Sequence, residues 1–184
     1  MQRIIVTPPA LAPAALAELK QWLGITTAAD DAPLAALLAA ALDACAGFTG
    51  MMPLQAVCEE MLPAVRGWQV LATRPVQAIT ALYGLAPAGP RFALAADAWE
   101  VDLDADGGGR VRLTAPASAP APRIAVRFTA GLAPDWHALP DGLRHGVMRL
   151  AAHQHRERET SGAAPLPPAA VAALWRPWRR LRLA

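Results

Sequence analysis

The sequence predicts an α+β fold, mainly α: a helical bundle with an antiparallel β-sheet inserted between its second and third helices, and a C-terminal arm. Three observations carry this. Leu34, Leu37, Leu38, Ala41, Leu42, Cys45 and Phe48 recur at the spacing of one helical stripe. The segments 99–104, 110–114 and 123–129 then alternate apolar and polar residues with period two, the mark of half-buried antiparallel strands. After Pro140 the helical period returns in Leu143, Val147, Leu150 and Ala151.

Taken in order, residues 13–23 read as a short helix, with Ala12, Leu16, Leu19 and Leu23 on one side and Gly24 as its stop. Asp30 and Asp31, with Pro33, start the second helix, which ends near Gly47 or Gly50. Residues 54–62 and 68–72 are candidate strands without clean alternation, and Val76 to Tyr83 is rich in strand formers. Residues 115–122 form a Pro-rich loop. Asp141 is placed to cap the long helix, 140–161, whose polar end is His153 to Glu159. A break at 162–168, with prolines at 165, 167 and 168, precedes a short helix over roughly 169–176 and the C-terminal arm. All 184 residues are expected to form one domain: N-terminal helices over 1–50, the β insertion over 54–130, the long helix, and the short helix with its arm over 168–184.

The chain is 54 % hydrophobic and 17 % charged, enough to bury a core. Its net charge of +2 is uneven: residues 1–66 hold three basic and six acidic side chains, residues 141–184 eight basic and three acidic. An acidic front and a basic back suit head-to-tail self-association, or contact of the basic end with nucleic acid. No run of about 18 uncharged apolar residues suggests a membrane span. The start, Met1-Gln-Arg-Ile-Ile-Val, lacks the core of a signal peptide, so the expected compartment is the cytosol.

No catalytic constellation emerges, and the chain is expected not to be an enzyme and to hold no cofactor or metal. Asp102-Leu-Asp104-Ala-Asp106-Gly107 resembles half of an EF-hand loop, but the twelfth position would be Leu113, and both flanks read as strands. A hairpin turning over 105–109, pairing Asp104 with Arg110 and Asp102 with Arg112, accounts for it better. His145, His153 and His155 are spaced eight and two apart, not as a zinc pair on one helical face, and His137 stands in a loop. Ser118 and Ser161 lie in Pro- or Gly-flanked segments outside any nucleophile motif, and Cys45 and Cys58 fit no metal spacing. Glu59 and Glu60, adjacent on a strand, would point to opposite faces.

The last ten residues, Trp175-Arg-Pro-Trp-Arg-Arg-Leu-Arg-Leu-Ala184, hold two tryptophans and four arginines with no acid. Such a run either folds back on its own core or supplies rings and guanidinium groups to a partner.

Several segments together resemble the head–tail connector (adaptor) proteins of tailed phages. Asp30-Asp-Ala-Pro-Leu-Ala-Ala-Leu-Leu-Ala-Ala-Ala-Leu, closing on Phe48-Thr-Gly50, is similar to their second helix, and Arg74-Pro-Val-Gln-Ala-Ile-Thr-Ala-Leu-Tyr83 to their central strand. Val126-Arg-Phe-Thr-Ala-Gly131, Leu139-Pro-Asp-Gly-Leu-Arg144 and Leu150-Ala-Ala-His153 resemble their strand–loop–long-helix block, and Leu174-Trp-Arg-Pro-Trp-Arg179 their terminal helix. The long helix ends His153-Gln-His-Arg-Glu where the family often has Tyr–Glu/Asn–Arg, so fine contacts there do not carry over. Phage-derived gene transfer agents use the same part, and one lysine against sixteen arginines suits a GC-rich origin of that kind.

The resemblance implies a structural subunit of a ring, usually twelve copies, docked between the portal and the head-completion or tail-proximal proteins. The ring extends a channel through which DNA passes without specific binding. It would sit at the head–tail interface of a virion or phage-like particle assembled in the bacterial cytoplasm. On this reading Trp175, Arg176, Trp178, Arg179, Arg180 and Arg182 leave the body and bind the portal. Asp30, Asp31 and Asp43 on one subunit face Arg144, Arg149 and Arg156 on the next. The rival expectation is a nucleic-acid-binding module using the basic end.

Overall fold

The computed structural model describes residues 3–9, 11, 13–114, 121–157 and 167–179. Ala12, residues 115–120 of the expected Pro-rich loop with Ser118, residues 158–166 with Glu159 and Ser161, and Arg180 and Arg182 lie outside the described residues. Within them the fold is α+β, with four α-helices and two antiparallel sheets, about 38 % helix and 29 % strand. The chain divides into two compact units: residues 1–9 with 55–131, and residues 10–54 with 132–184.

The second unit is helical. Helix α1 spans Pro13–Leu23, α2 Asp31–Thr49, α3 Asp141–Arg156 and α4 Ala169–Trp175. Leu34, Leu38, Ala41, Leu42 and Cys45 of α2 are buried with Leu143, Val147, Met148, Leu150 and Ala151 of α3, with Ala15 and Leu19 of α1, and with Val171 and Trp175 of α4. The leucine stripe of α2 thus finds its partners within the unit. This helix, 19 residues at mean hydropathy 1.6, has the length and composition of a membrane span, but its stripe is spent on this core. Gly50 ends α2 in the left-handed region at φ 73°, its N–H donating to the Ala46 carbonyl.

Cap chemistry differs from the expectation. Asp30 occupies the N-cap of α2 without a side-chain cap bond, and Asp31 accepts from Lys20 at 2.6 Å. Asp141 is the first residue of α3 rather than its cap, and it pairs with Arg144 at 3.0 Å. Neither N-cap, Asp30 of α2 or Pro140 of α3, gives its helix a side-chain cap bond, and Asp31 and Asp141, one residue further on, each turn one carboxylate oxygen to a nearby cation. Trp136, fully buried, donates its indole N–H to Glu18 at 2.8 Å. Burial pushes the Cys45 thiol up to about 12, so it stays protonated and inert at neutral pH.

The first unit is built of β-strands with one 3-10 turn at Ala96–Ala98. Strands β1 (Arg3–Thr7), β2 (Ala56–Pro63), β4 (Val76–Leu85), β5 (Phe92–Ala93) and β8 (Arg123–Ala130) form a five-stranded sheet, ordered β1-β2-β8-β4-β5. Strands β3 (Gln69–Val70), β6 (Trp99–Leu103) and β7 (Gly109–Leu113) form a second sheet, ordered β3-β7-β6. Strands β1 and β5 have no counterpart in the sequence reading. The first is short and shows no alternation, and the second has only two residues. Strands β2 and β8 pair without a break from Ala56↔Ala130 to Pro63↔Arg123.

The hairpin register is corrected. Asp102 pairs with Arg110 and Glu100 with Arg112, in place of Asp104–Arg110 and Asp102–Arg112. Asp104 belongs to the turn: its carboxylate accepts the Gly108 N–H at 2.6 Å and its carbonyl accepts the Gly107 N–H at 3.0 Å. An aspartate bound to its own backbone is unavailable for a cross-strand pair. Gly107, at φ 75°, supplies the left-handed residue that such a turn requires.

Glu60, 1 % exposed, accepts the backbone N–H groups of Ala72 and Thr73 at 2.9 and 2.7 Å. It ties the five-stranded sheet to the segment leaving β3. Glu60→Ala strands the buried Thr73 donor and breaks two charge-assisted bonds, with an expected loss of about 1.5–3 kcal/mol. Denaturant unfolding followed by circular dichroism measures it.

Candidate partner-binding surfaces

The C-terminal segment is positioned by two glycines on α3. Gly142 and Gly146 are one helical turn apart, and α4 with the following 3-10 turn (Arg176–Trp178) lies against them. A Cβ at Gly146 would come within 2.1 Å of the Trp175 Nε1, and one at Gly142 within 3.4 Å of the Leu174 carbonyl oxygen. Trp175 fills this groove. It is fully buried, donates its indole N–H to the Leu143 carbonyl at 3.3 Å, and has its ring centroid 6.0 Å from that of Phe48.

The expectation for the arm is therefore corrected at its root. Trp175 does not leave the body; it is a core residue, because the glycine groove gives an indole more contact than water does. Trp178 is half-buried against the same core, and Arg176 is exposed. Arg179 is exposed with its guanidinium 5.4 Å from the centre of the Phe48 ring, a cation–π contact that keeps the charge at the surface. Of the six residues expected to reach a partner, one is interior, three sit on the surface of the helical unit, and Arg180 and Arg182 lie outside the described residues.

The charged candidates separate in the same way. Asp31 and Arg144 already hold the in-chain partners Lys20 and Asp141. Asp30 is half-buried at the start of α2, while Asp43 is exposed on that helix. Arg149 and Arg156, two turns apart on α3, are exposed and carry no ion pair among the described residues. With Trp22, His153 and Val171 they line a cleft of about 210 Å³. His153 Nε2 lies 3.0 Å from a Glu157 carboxylate oxygen, and His145 meets the edge of Trp22 with ring centroids 5.5 Å apart. Among the described residues no acid of α2 meets the arginines of α3, and Asp43, Arg149 and Arg156 carry no ion pair.

On the five-stranded sheet Glu59 accepts from Arg127 at 2.7 Å and from Arg91 at 3.1 Å, and both guanidinium groups flank the Tyr83 ring. Trp68 is flanked in the same way by Arg110 and Arg112. These clusters pair their charges internally and present no nucleophile beside a base. Among the described residues no three His, Cys, Asp or Glu side chains gather as a metal site would require. Sequence reasoning missed the Gly142/Gly146 groove. The four-residue spacing of those glycines within an otherwise regular helix is the signal that marks it.

No protein-family model and no curated protein matches the chain. Solved structures do. The chain is similar to a component of the neck of an empty GTA particle computed with C6 symmetry, at 31 % identity and TM-score 0.78, over 100 % of this chain and 98 % of that one. It is similar to a component of the virion of a native gene transfer agent particle at 31 % identity and TM-score 0.75, with the same coverage. A component of the neck of a native GTA particle computed with C12 symmetry matches at 30 % identity and TM-score 0.76, again over 100 % and 98 %.

Proposed function

This chain belongs to the family of structural neck components of gene transfer agent particles, and from that premise we propose that it is the adaptor subunit of such a neck. As a structural protein of a phage-like particle it forms a homo-oligomeric ring. In our reading the ring has twelve copies, docks under the portal, extends the DNA channel, and offers its far side to the head-completion or tail-proximal protein. DNA passes without specific contacts, and assembly takes place in the bacterial cytoplasm. The observation that carries the reading is likeness along the whole length of neck components solved with six-fold and twelve-fold symmetry.

Ring closure is assigned to a heterologous contact in which Asp43, with Asp30, meets Arg149 and Arg156 of the next copy. Asp31 and Arg144, each already paired, contribute less. Portal docking is assigned to Arg176, Trp178 and Arg179 with Arg180 and Arg182, while Trp175 anchors the segment from inside. The test is electron microscopy of the full chain mixed with its cognate portal. A ring seated on the portal is expected; a chain that leaves the portal bare and instead binds duplex DNA in a salt-dependent way would replace this reading with the nucleic-acid module.

A further inference from the structure

The sheet unit ends in two long unpaired edges. Among the described residues strand β1 pairs only with β2, and all five of its residues are exposed, with Ile4, Ile5 and Val6 at 42, 40 and 41 %. Strand β6 pairs, among the described residues, only with β7, and its Val101 and Leu103 are each 41 % exposed. The other two edge strands, β3 and β5, have two residues each. Edges that expose apolar residues along an open row of N–H and C=O groups template pairing with another chain. Natural edges are commonly guarded by lysine or proline, and β1 has neither; its one irregularity is a bulge between Ile5 and Thr7.

The two edges match each other. Each is five residues long. Strand β1 carries Arg3 and no acid, whereas β6 carries Glu100 and Asp102 and no base. Those two carboxylates, though paired with Arg112 and Arg110, keep 48 and 44 % of their side-chain surface in water. A ring needs two different, complementary surfaces on one subunit, whereas a two-fold dimer needs one surface that complements itself. Opposite charge on unlike strands of equal length meets the first condition. We propose that β1 of one subunit pairs with β6 of the next copy, so that the sheets continue across each subunit boundary. This rests on the ring reading above and adds a backbone-paired contact to its charged helical one.

Disulfide trapping in portal-templated rings of the full chain tests it. The double variants Ile4→Cys/Val101→Cys and Ile4→Cys/Leu103→Cys sample neighbouring registers. Ile5 is avoided because it lies opposite Cys58 within the chain. Paired strands hold opposed Cβ atoms about 4.5–5.5 Å apart, close enough for a disulfide after slight adjustment. The substituted positions are exposed, and an unchanged melting curve controls for folding. At least one double variant is expected to give a reducible ladder of covalent oligomers on oxidation, while each single variant stays monomeric on a denaturing gel. Rings of normal size with no ladder from either double variant would overturn the strand pairing and leave the ring standing. Dimers from Ile4→Cys alone would overturn it too, because like strands would then be meeting. Failure of the wild-type chain to form a ring on its portal would remove both readings.

Discussion

Replacing Trp175 with Ala is expected to cost about 3–5 kcal/mol of the stability of the helical unit, the range for emptying a large aromatic site in a core. The indole is fully buried and spends its N–H on the Leu143 carbonyl. Its floor is the α3 backbone at Gly146, where no side chain can swing in to refill the space. The cavity should therefore collapse little, which places the cost toward the upper end. Trp178→Ala is the control: half-buried, it should lose about 1–2 kcal/mol, in proportion to the smaller apolar area withdrawn from water. Amide exchange along α3 and α4 reads both losses locally, since global unfolding of a two-unit chain need not be a single transition. A loss below about 1 kcal/mol for Trp175→Ala would contradict the buried placement.

Removing residues 180–184 is expected to leave that core intact and to weaken portal docking sharply. The shortened chain keeps Trp175, Trp178 and the Arg179–Phe48 contact, so its melting curve should match the full chain. It loses Arg180 and Arg182. An arginine desolvated at the centre of an interface can be worth about 2 kcal/mol, a factor of roughly 30 in affinity. Loss of both should reduce portal binding by at least that factor, measured by co-sedimentation or by counting particles with heads joined to tails. Undiminished binding would move the docking surface elsewhere on the subunit. A cut before Trp175 would answer nothing, because unfolding the helical unit and losing the arm would look alike.

The helices were legible because punctuation marks them. Gly24, Gly50 and Pro140 sit where the elements stop or start, and apolar residues of α2 and α3 recur at helical spacing. Alternation made β7 and β8 legible, since Val111, Leu113, Ile124, Val126 and Phe128 are buried. It misled on β6, where Val101 and Leu103 are exposed because no second layer covers that edge strand among the described residues. The hairpin register was not, because Asp104 had two uses, a cross-strand arginine or its own turn amides, and only three-dimensional geometry selects between them. Strand β1 was hidden because a strand exposed along its whole length has no alternation to read.

At the C-terminus composition was ambiguous in a deeper way. Trp is favoured both in cores and at surfaces awaiting a partner, and Arg at such surfaces, so the run reads either way. The chain uses both: Trp175 goes inward and Arg176 and Arg179 outward within five residues. The glycines that decide the matter lie about thirty residues upstream, beyond the reach of local pattern.

The place where the helical unit hands the chain to the sheets bears on how the molecule assembles itself. Leu132 and Ala133 donate to the Met52 and Pro53 carbonyls at 2.9 and 3.0 Å, and Leu54 bridges Ala133. The first rung of the β2–β8 ladder, Ala56↔Ala130, follows directly. With residues 52–54 held beside 132–133, the loop that must close to form the Ala56↔Ala130 rung is only a few residues long, and its closure costs little entropy.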